Sequence, residues 1–175
     1  MAGVILIIGG ILAVILFLSK KAEGKTLTPI PTIINTDSTA KYPYFNEVGN
    51  AANRYGVDAN LIAAVISWEQ RSATRWDPNA VNPSDPSYGL GQITPYIGVR
   101  FGAISSEEDY SGLFDPQKNI NAVAAFLDYL LNDEKNSLDV AIQMYNLGEP
   151  KYWEGKRVPE YLAGVKSYLE KFRGW

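Results

Sequence analysis

Residues 58–70 read Asp-Ala-Asn-Leu-Ile-Ala-Ala-Val-Ile-Ser-Trp-Glu-Gln. Leu61, Val65 and Trp68 recur at helical spacing, and Ile62, Ile66 and Glu69 form a second stripe beside the first. Two adjacent stripes predict a helix buried over much of its surface, with Asp58 as its N-cap. The one charge within 59–69 is Glu69, near the carboxyl end. The negative pole of the helix dipole and an apolar setting both raise a carboxyl pKa, keeping the proton on near neutral pH. Such a group can give that proton to a leaving oxygen. The plainer alternative is a solvated glutamate paired with Arg71 or Arg75.

Helix signals continue on both sides. Pro43 suits a first helical turn, and Phe45, Val48, Ala52 and Tyr55 repeat at helical spacing until Gly56. Asp115-Pro116 reads as an N-cap followed by proline, opening a helix marked by Ile120, Val123, Ala124, Leu127 and Leu131. Ser137 is expected to cap another that runs through Tyr145 and closes at Gly148. Pro159 opens a last one, to Phe172. Residues 77–104, rich in Pro, Ser, Asn and Gly, carry too little periodicity for helix and predict a short hairpin or long loop. The compact domain, 42–175, is therefore mainly α with a small β or irregular element.

Ahead of it, residues 1–18 carry no charged side chain. Eighteen helical residues span roughly 27 Å, close to the ~30 Å hydrocarbon core of a bilayer. No polar face argues for a buried core helix, and no positive segment opens a cleaved signal. Residues 1–19 are thus expected to form a transmembrane helix, and 20–41, mixed in Thr, Pro, Ser and Asn, a linker. Lys20, Lys21 and Lys25 follow the apolar run, which by the positive-inside tendency puts this flank in the cytoplasm.

Composition narrows the chemistry. The chain has no histidine and no cysteine, which removes Ser-His-Asp and Cys-His nucleophiles and the usual ligands of catalytic zinc. No cofactor or metal is called for, and proton transfer falls on carboxylates, Lys or Tyr. A net charge of −3 offers no basic surplus for nucleic acid.

Two further segments bear on Glu69. Residues 84–95 form a glycine-rich turn, SDPSYGLGQITP, and 141–148 read AIQMYNLG. Either alone is an ordinary turn or helix end. In order with Glu69-Gln70, Trp76 to Ala80, Leu113 to Ile120 and Tyr161 to Val165, they resemble the lytic transglycosylase family, whose fold is shared with goose-type lysozyme. That family shows a helix ending in Glu-Ser, an Asn-Pro-Asn-Ala-like turn and Gly-Leu-Met-Gln-Ile-x-Pro. It continues with Leu-x-Asp-Pro-x-x-Asn-Ile, Ala-x-x-x-Tyr-Asn-x-Gly and Tyr-x-x-x-Val.

The resemblance implies a lysozyme-like helical fold and a peptidoglycan substrate. It makes Glu69 the acid that protonates the glycosidic oxygen and the base that then activates the muramoyl 6-hydroxyl, leaving a 1,6-anhydro sugar. It places Gln92 and Tyr145 on the sugar, Asn146 in support, Ser87 (with Ser84 as rival) near the catalytic carboxyl, and Tyr161 in a hydrogen bond to it. Two positions depart from the pattern: Gln70 replaces serine, and Gly91 stands where methionine packs on a sugar ring.

Two alternatives remain open. A muramidase would hydrolyse the same bond and need a second carboxylate, for which Asp77, Asp85 and Glu107 are candidates. An inactive wall-binding protein could keep the fold. Tyr88, Tyr96, Tyr152 and Trp153 could stack on sugars, although packing explains each as well. As a single-pass membrane protein the chain suits a bacterial envelope or the internal membrane of a phage virion, where it would open the host wall during entry.

Overall fold

The central helix, α2 (Ala59–Glu69), follows the expected bounds, and Asp58 caps it by accepting from the Asn60 amide at 2.9 Å. Every residue from Leu61 to Ser67 is buried. The structure, a computed structural model, describes residues 40–71 and 76–174. The apolar segment 1–18 and most of the linker lie outside the described residues; among those described, no helix is long and apolar enough to cross a membrane. Lys41 donates to the Asn60 side chain of α2 at 3.2 Å, and Tyr42, 6% exposed, packs edge-on to the Phe172 ring at 5.1 Å.

Seven α-helices and a two-stranded ribbon are described. α1 (Phe45–Tyr55) ends at Gly56, whose φ of 69° closes it in the left-handed region. Its start differs from expectation. Pro43 lies before the helix, because Tyr44 takes φ 55° and breaks the turn. Tyr42 and Tyr44 both stack on Trp76 there, with centroids 6.0 and 6.4 Å away.

The segment between α2 and the next long helix holds a ribbon and a helix. β1 (Val81–Asn82) pairs antiparallel with β2 (Ser87–Tyr88), Val81 opposite Tyr88. α3 (Pro95–Arg100) was not anticipated; six residues are too few to display a 3.6-residue period, although Thr94 and Pro95 form a regular helix start.

After a 3₁₀ turn (Ser111–Phe114), α4 (Pro116–Asp128) begins as expected, with Asp115 accepting from the Lys118 amide. It continues as a π-helical turn, Tyr129–Asp133. α5 (Leu138–Leu147) follows Ser137, but the serine side chain makes no capping bond; the helix closes at Gly148 and runs directly into the short α6 (Glu149–Trp153). α7 (Pro159–Arg173) ends the described chain.

α2 packs most extensively on α7, and α1 on α4. The α2–α7 seam is close because Gly164 presents no side chain: a Cβ there would stand 2.1 Å from the Trp68 ring. Close approach brings Trp68 edge-on to Tyr161 at 6.4 Å and aims Tyr161 at the end of α2. The fold is mainly α, with the small β element the sequence called for.

Candidate active site

Tyr161 is 6% exposed, and its hydroxyl donates to Glu69 Oε1 at 2.6 Å across the α2–α7 seam. Glu69 itself keeps an opening to a recess. Burial pushes its carboxyl up to about 7, against the Tyr161 hydrogen bond and the Arg71 charge, which both hold it down. Burial therefore dominates, as an apolar helix end dictates. A carboxyl raised this far can both give and recover a proton near neutral pH.

The recess is lined by Glu69, Ser87, Gln92, Tyr145 and Asn146, with Asn82 and Asp85 from the ribbon. Apolar lining comes from Ile93, Ile97 and Phe126. Four of the five expected companions of Glu69 thus share its cavity, and the fifth, Tyr161, binds it from behind. Their hydrogen-bond partners differ from expectation in places.

Ser87 is buried and donates to Gln92 Oε1 at 3.2 Å rather than to Glu69; its rival Ser84 is exposed and outside the lining. Gln92 adopts φ 49°, uncommon for a residue with a side chain, and its amide donates to the Gly89 carbonyl at 2.9 Å. Tyr145 is buried, donates to the Gly91 carbonyl at 2.8 Å, and its phenol is pushed well above its ordinary value by burial and the nearby Glu69 charge. Asn146 is exposed at the rim of the recess.

Of the three candidate second carboxylates, only Asp85 lines the recess; Glu107 is exposed elsewhere, and Asp77 accepts from the Asn79 amide. Tyr88, Tyr96, Tyr152 and Trp153 are absent from the lining. Tyr88 stacks on Tyr110 at 4.3 Å, Tyr152 lies under Arg157, and Tyr96 and Trp153 point outward.

The glycine-rich turn is held by side chains from α4, from α5 and from the residue that follows α2. Asn119 of α4, fully buried, accepts from the Gly91 amide at 2.8 Å and donates to the carbonyls of Tyr88 and Leu113. Tyr145 of α5 binds Gly91. Gln70, the residue after α2, donates to the carbonyls of Gly89 and Leu90. The turn's backbone can be buried because these partners replace water. Gly89 is required twice: its φ is 71°, and a Cβ would stand 2.3 Å from the Leu113 carbonyl.

Gly91 also finds its reason here. A Cβ at that position would meet Val123 Cγ2 at 2.1 Å and Tyr145 Oη at 3.0 Å. A side chain at this position would need Val123 of α4 to give way, so the space beside α4 is what glycine leaves open. Gln70 was singled out from sequence only as a departure from the family's serine, and Asn119 was not singled out at all. Asn119 sits in a motif whose Asp-Pro start was legible as a helix cap, and its inward aim was not.

Comparison with known proteins identifies the family. The family model described as the transglycosylase SLT domain matches residues 46–161. The membrane-bound lytic murein transglycosylase C of Edwardsiella ictaluri is 35% identical over 95 residues, covering 52% of this chain and 25% of that protein. Its counterpart in Mannheimia succiniciproducens is 29% identical over 120 residues, 65% of this chain and 32% of the relative. The chain thus spans a quarter to a third of these curated relatives. The 70 kDa soluble lytic transglycosylase of Escherichia coli shares the fold, with a TM-score of 0.61, 22% identity, and coverage of 75% of this chain and 24% of that one. With its family match extending over more than half its length, the chain belongs to the transglycosylase SLT domain family.

Proposed function

We propose that this chain is a peptidoglycan lytic transglycosylase that cleaves the β-1,4 bond between N-acetylmuramoyl and N-acetylglucosaminyl residues, with Glu69 as its one acid/base. The observation that carries the reading is the Glu69 carboxyl, raised to about 7 at the recess and bound by Tyr161. Protonated Glu69 gives its proton to the glycosidic oxygen as the bond to the anomeric carbon breaks. The resulting carboxylate takes the proton of the muramoyl 6-hydroxyl, whose oxygen closes on the same anomeric carbon. One proton leaves the carboxyl and one returns. The products are a free 4-hydroxyl and a 1,6-anhydro end, with no water consumed and no second acid needed.

Gln92, Tyr145 and Asn146 line the path of the strand, with Ser87 holding Gln92. The cavity volume is about 110 Å³, well below the ~300–1,000 Å³ of sites that enclose a small molecule. That suits a polymer lying across an open groove.

The position of Asp85 favours one rival reading, hydrolysis by a muramidase, since it is a second carboxylate on the same recess. Mass spectrometry of released muropeptides separates the two. Anhydro ends are expected; reducing ends would transfer the reading to the muramidase. Glu69→Gln should abolish turbidity clearing of cell walls, and unchanged clearing would remove Glu69 from the chemistry.

The apolar run 1–18 is proposed to anchor the chain in a lipid bilayer as a single span. The lysines at 20, 21 and 25 favour a virion-associated lysin, carried on an internal phage membrane, over a bacterial envelope enzyme. Protease protection of the carboxyl-terminal domain in host membranes is the expected result, and its exposure in the periplasm would reverse the assignment.

A further inference from the structure

Gln70 is the neighbour of the proposed acid and stands where the family pattern has serine. It is 5% exposed and its amide is fully engaged. Nε2 donates to the Gly89 carbonyl at 3.1 Å and the Leu90 carbonyl at 3.0 Å, while Oε1 accepts from the Asp77 amide at 3.1 Å. An amide group has two donor hydrogens, and both are used. The three bonds grip the loop at both its stems: Asp77 where it leaves α2, and Gly89–Leu90 where it returns to the recess.

Glu69 lines the recess, while Gln70, the residue that closes α2, turns its amide to the loop. The Gly89 carbonyl is the shared point. It accepts from Gln70 on one side and from Gln92 Nε2 at 2.9 Å on the other. Gln92 in turn receives the Ser87 hydroxyl. A continuous line of bonds thus runs from the residue after the acid to two side chains of the opposite wall. Asn119 and Tyr145 tie the same turn to α4 and α5. Gln70 is the side chain that ties it to α2. A serine at 70 is too short to reach two carbonyls and an amide across this gap.

We propose that Gln70 is a positioning residue that sets the separation between the Glu69 carboxyl and the Gln92 wall, and so the placement of the scissile bond beneath the acid. The proposal rests on the transglycosylase reading above. Small errors in placing a reacting bond reduce turnover steeply, since near-attack geometry tolerates little displacement.

The test is Gln70→Met, which keeps length and removes the amide, made in the full chain in non-ionic detergent and assayed on soluble peptidoglycan strands. Circular dichroism and thermal melting report folding; initial rates give kcat and KM. The expected result is a folded protein with kcat at least tenfold lower, KM within about threefold, and an alkaline limb of the pH profile still near 7, because Tyr161 and the burial of Glu69 are untouched. A parent-like kcat in folded Gln70→Met, or a loss that merely tracks the unfolded fraction, would overturn the proposal. Gln70→Asn keeps the amide and withdraws it by one methylene. It reads the same coupling should the Met variant fail to fold, and again kcat must fall with KM held. The catalytic reading fails separately, through activity that survives Glu69→Gln.

Discussion

The raised pKa of Glu69 makes a prediction about stability that is independent of any substrate. A carboxyl that titrates at about 7 in the folded chain and at its ordinary 4.5 when unfolded binds its proton more tightly in the folded state. The unfolded state loses that proton first as pH rises, so ΔG of unfolding falls between pH 4.5 and 7 and is flat beyond. The stability is fully present below 4.5 and is lost once pH passes the folded value. A shift from 4.5 to about 7, at about 1.4 kcal/mol per pH unit, gives a loss on the order of 3 kcal/mol.

Glu69→Gln removes the titration while keeping shape and an acceptor for Tyr161. The variant should match the parent at pH 4 and exceed it by about 3 kcal/mol at pH 8, on the order of 10 °C in Tm. The assay is thermal or urea unfolding of both full chains in detergent at the two pH values. A difference that does not change with pH would refute the reasoning, because it would mean that Glu69 titrates alike in both states.

Tyr161→Phe removes a donor that favours the ionised carboxylate, so the Glu69 pKa must rise above about 7. The alkaline limb of kcat/KM should move to higher pH, and a limb that stays or moves to lower pH would contradict the hydrogen bond. Gly91→Met, which restores the family residue, forces a Cβ to 2.1 Å from Val123. It should destabilise by about 1–3 kcal/mol as overpacking does, and Val123→Ala in the same chain should recover part of that loss. Strict additivity of the two changes in melting experiments would show that Gly91 and Val123 do not compete for space.

Local signals carried the helices that have them. Asp58, Asp115-Pro116 and Pro159 mark helix starts within a residue of their observed places, because capping depends on neighbours in sequence. Where the controlling contact is distant, the reading slipped. Pro43 was displaced from the helix by the turn at Tyr44, beside the rings stacked on Trp76, a partner more than thirty residues away. α3 and α6 were too short to show a period.

The candidate site divides in the same way. The residue types and the absence of histidine and cysteine pointed to one carboxyl, since chemistry is a property of side chains, while its companions were named only through the resemblance to the family. The sequence by itself determined a buried helix ending in a glutamate and a glycine-rich turn some twenty residues on. Only the tertiary structure decided that Ser87 serves Gln92 rather than Glu69, that Asn146 stands at the rim, and that Gly91 makes room for α4. It alone brought Gln70 and Asn119 onto the turn, because hydrogen bonds and steric room are set by the three-dimensional approach of segments that sequence spacing leaves free.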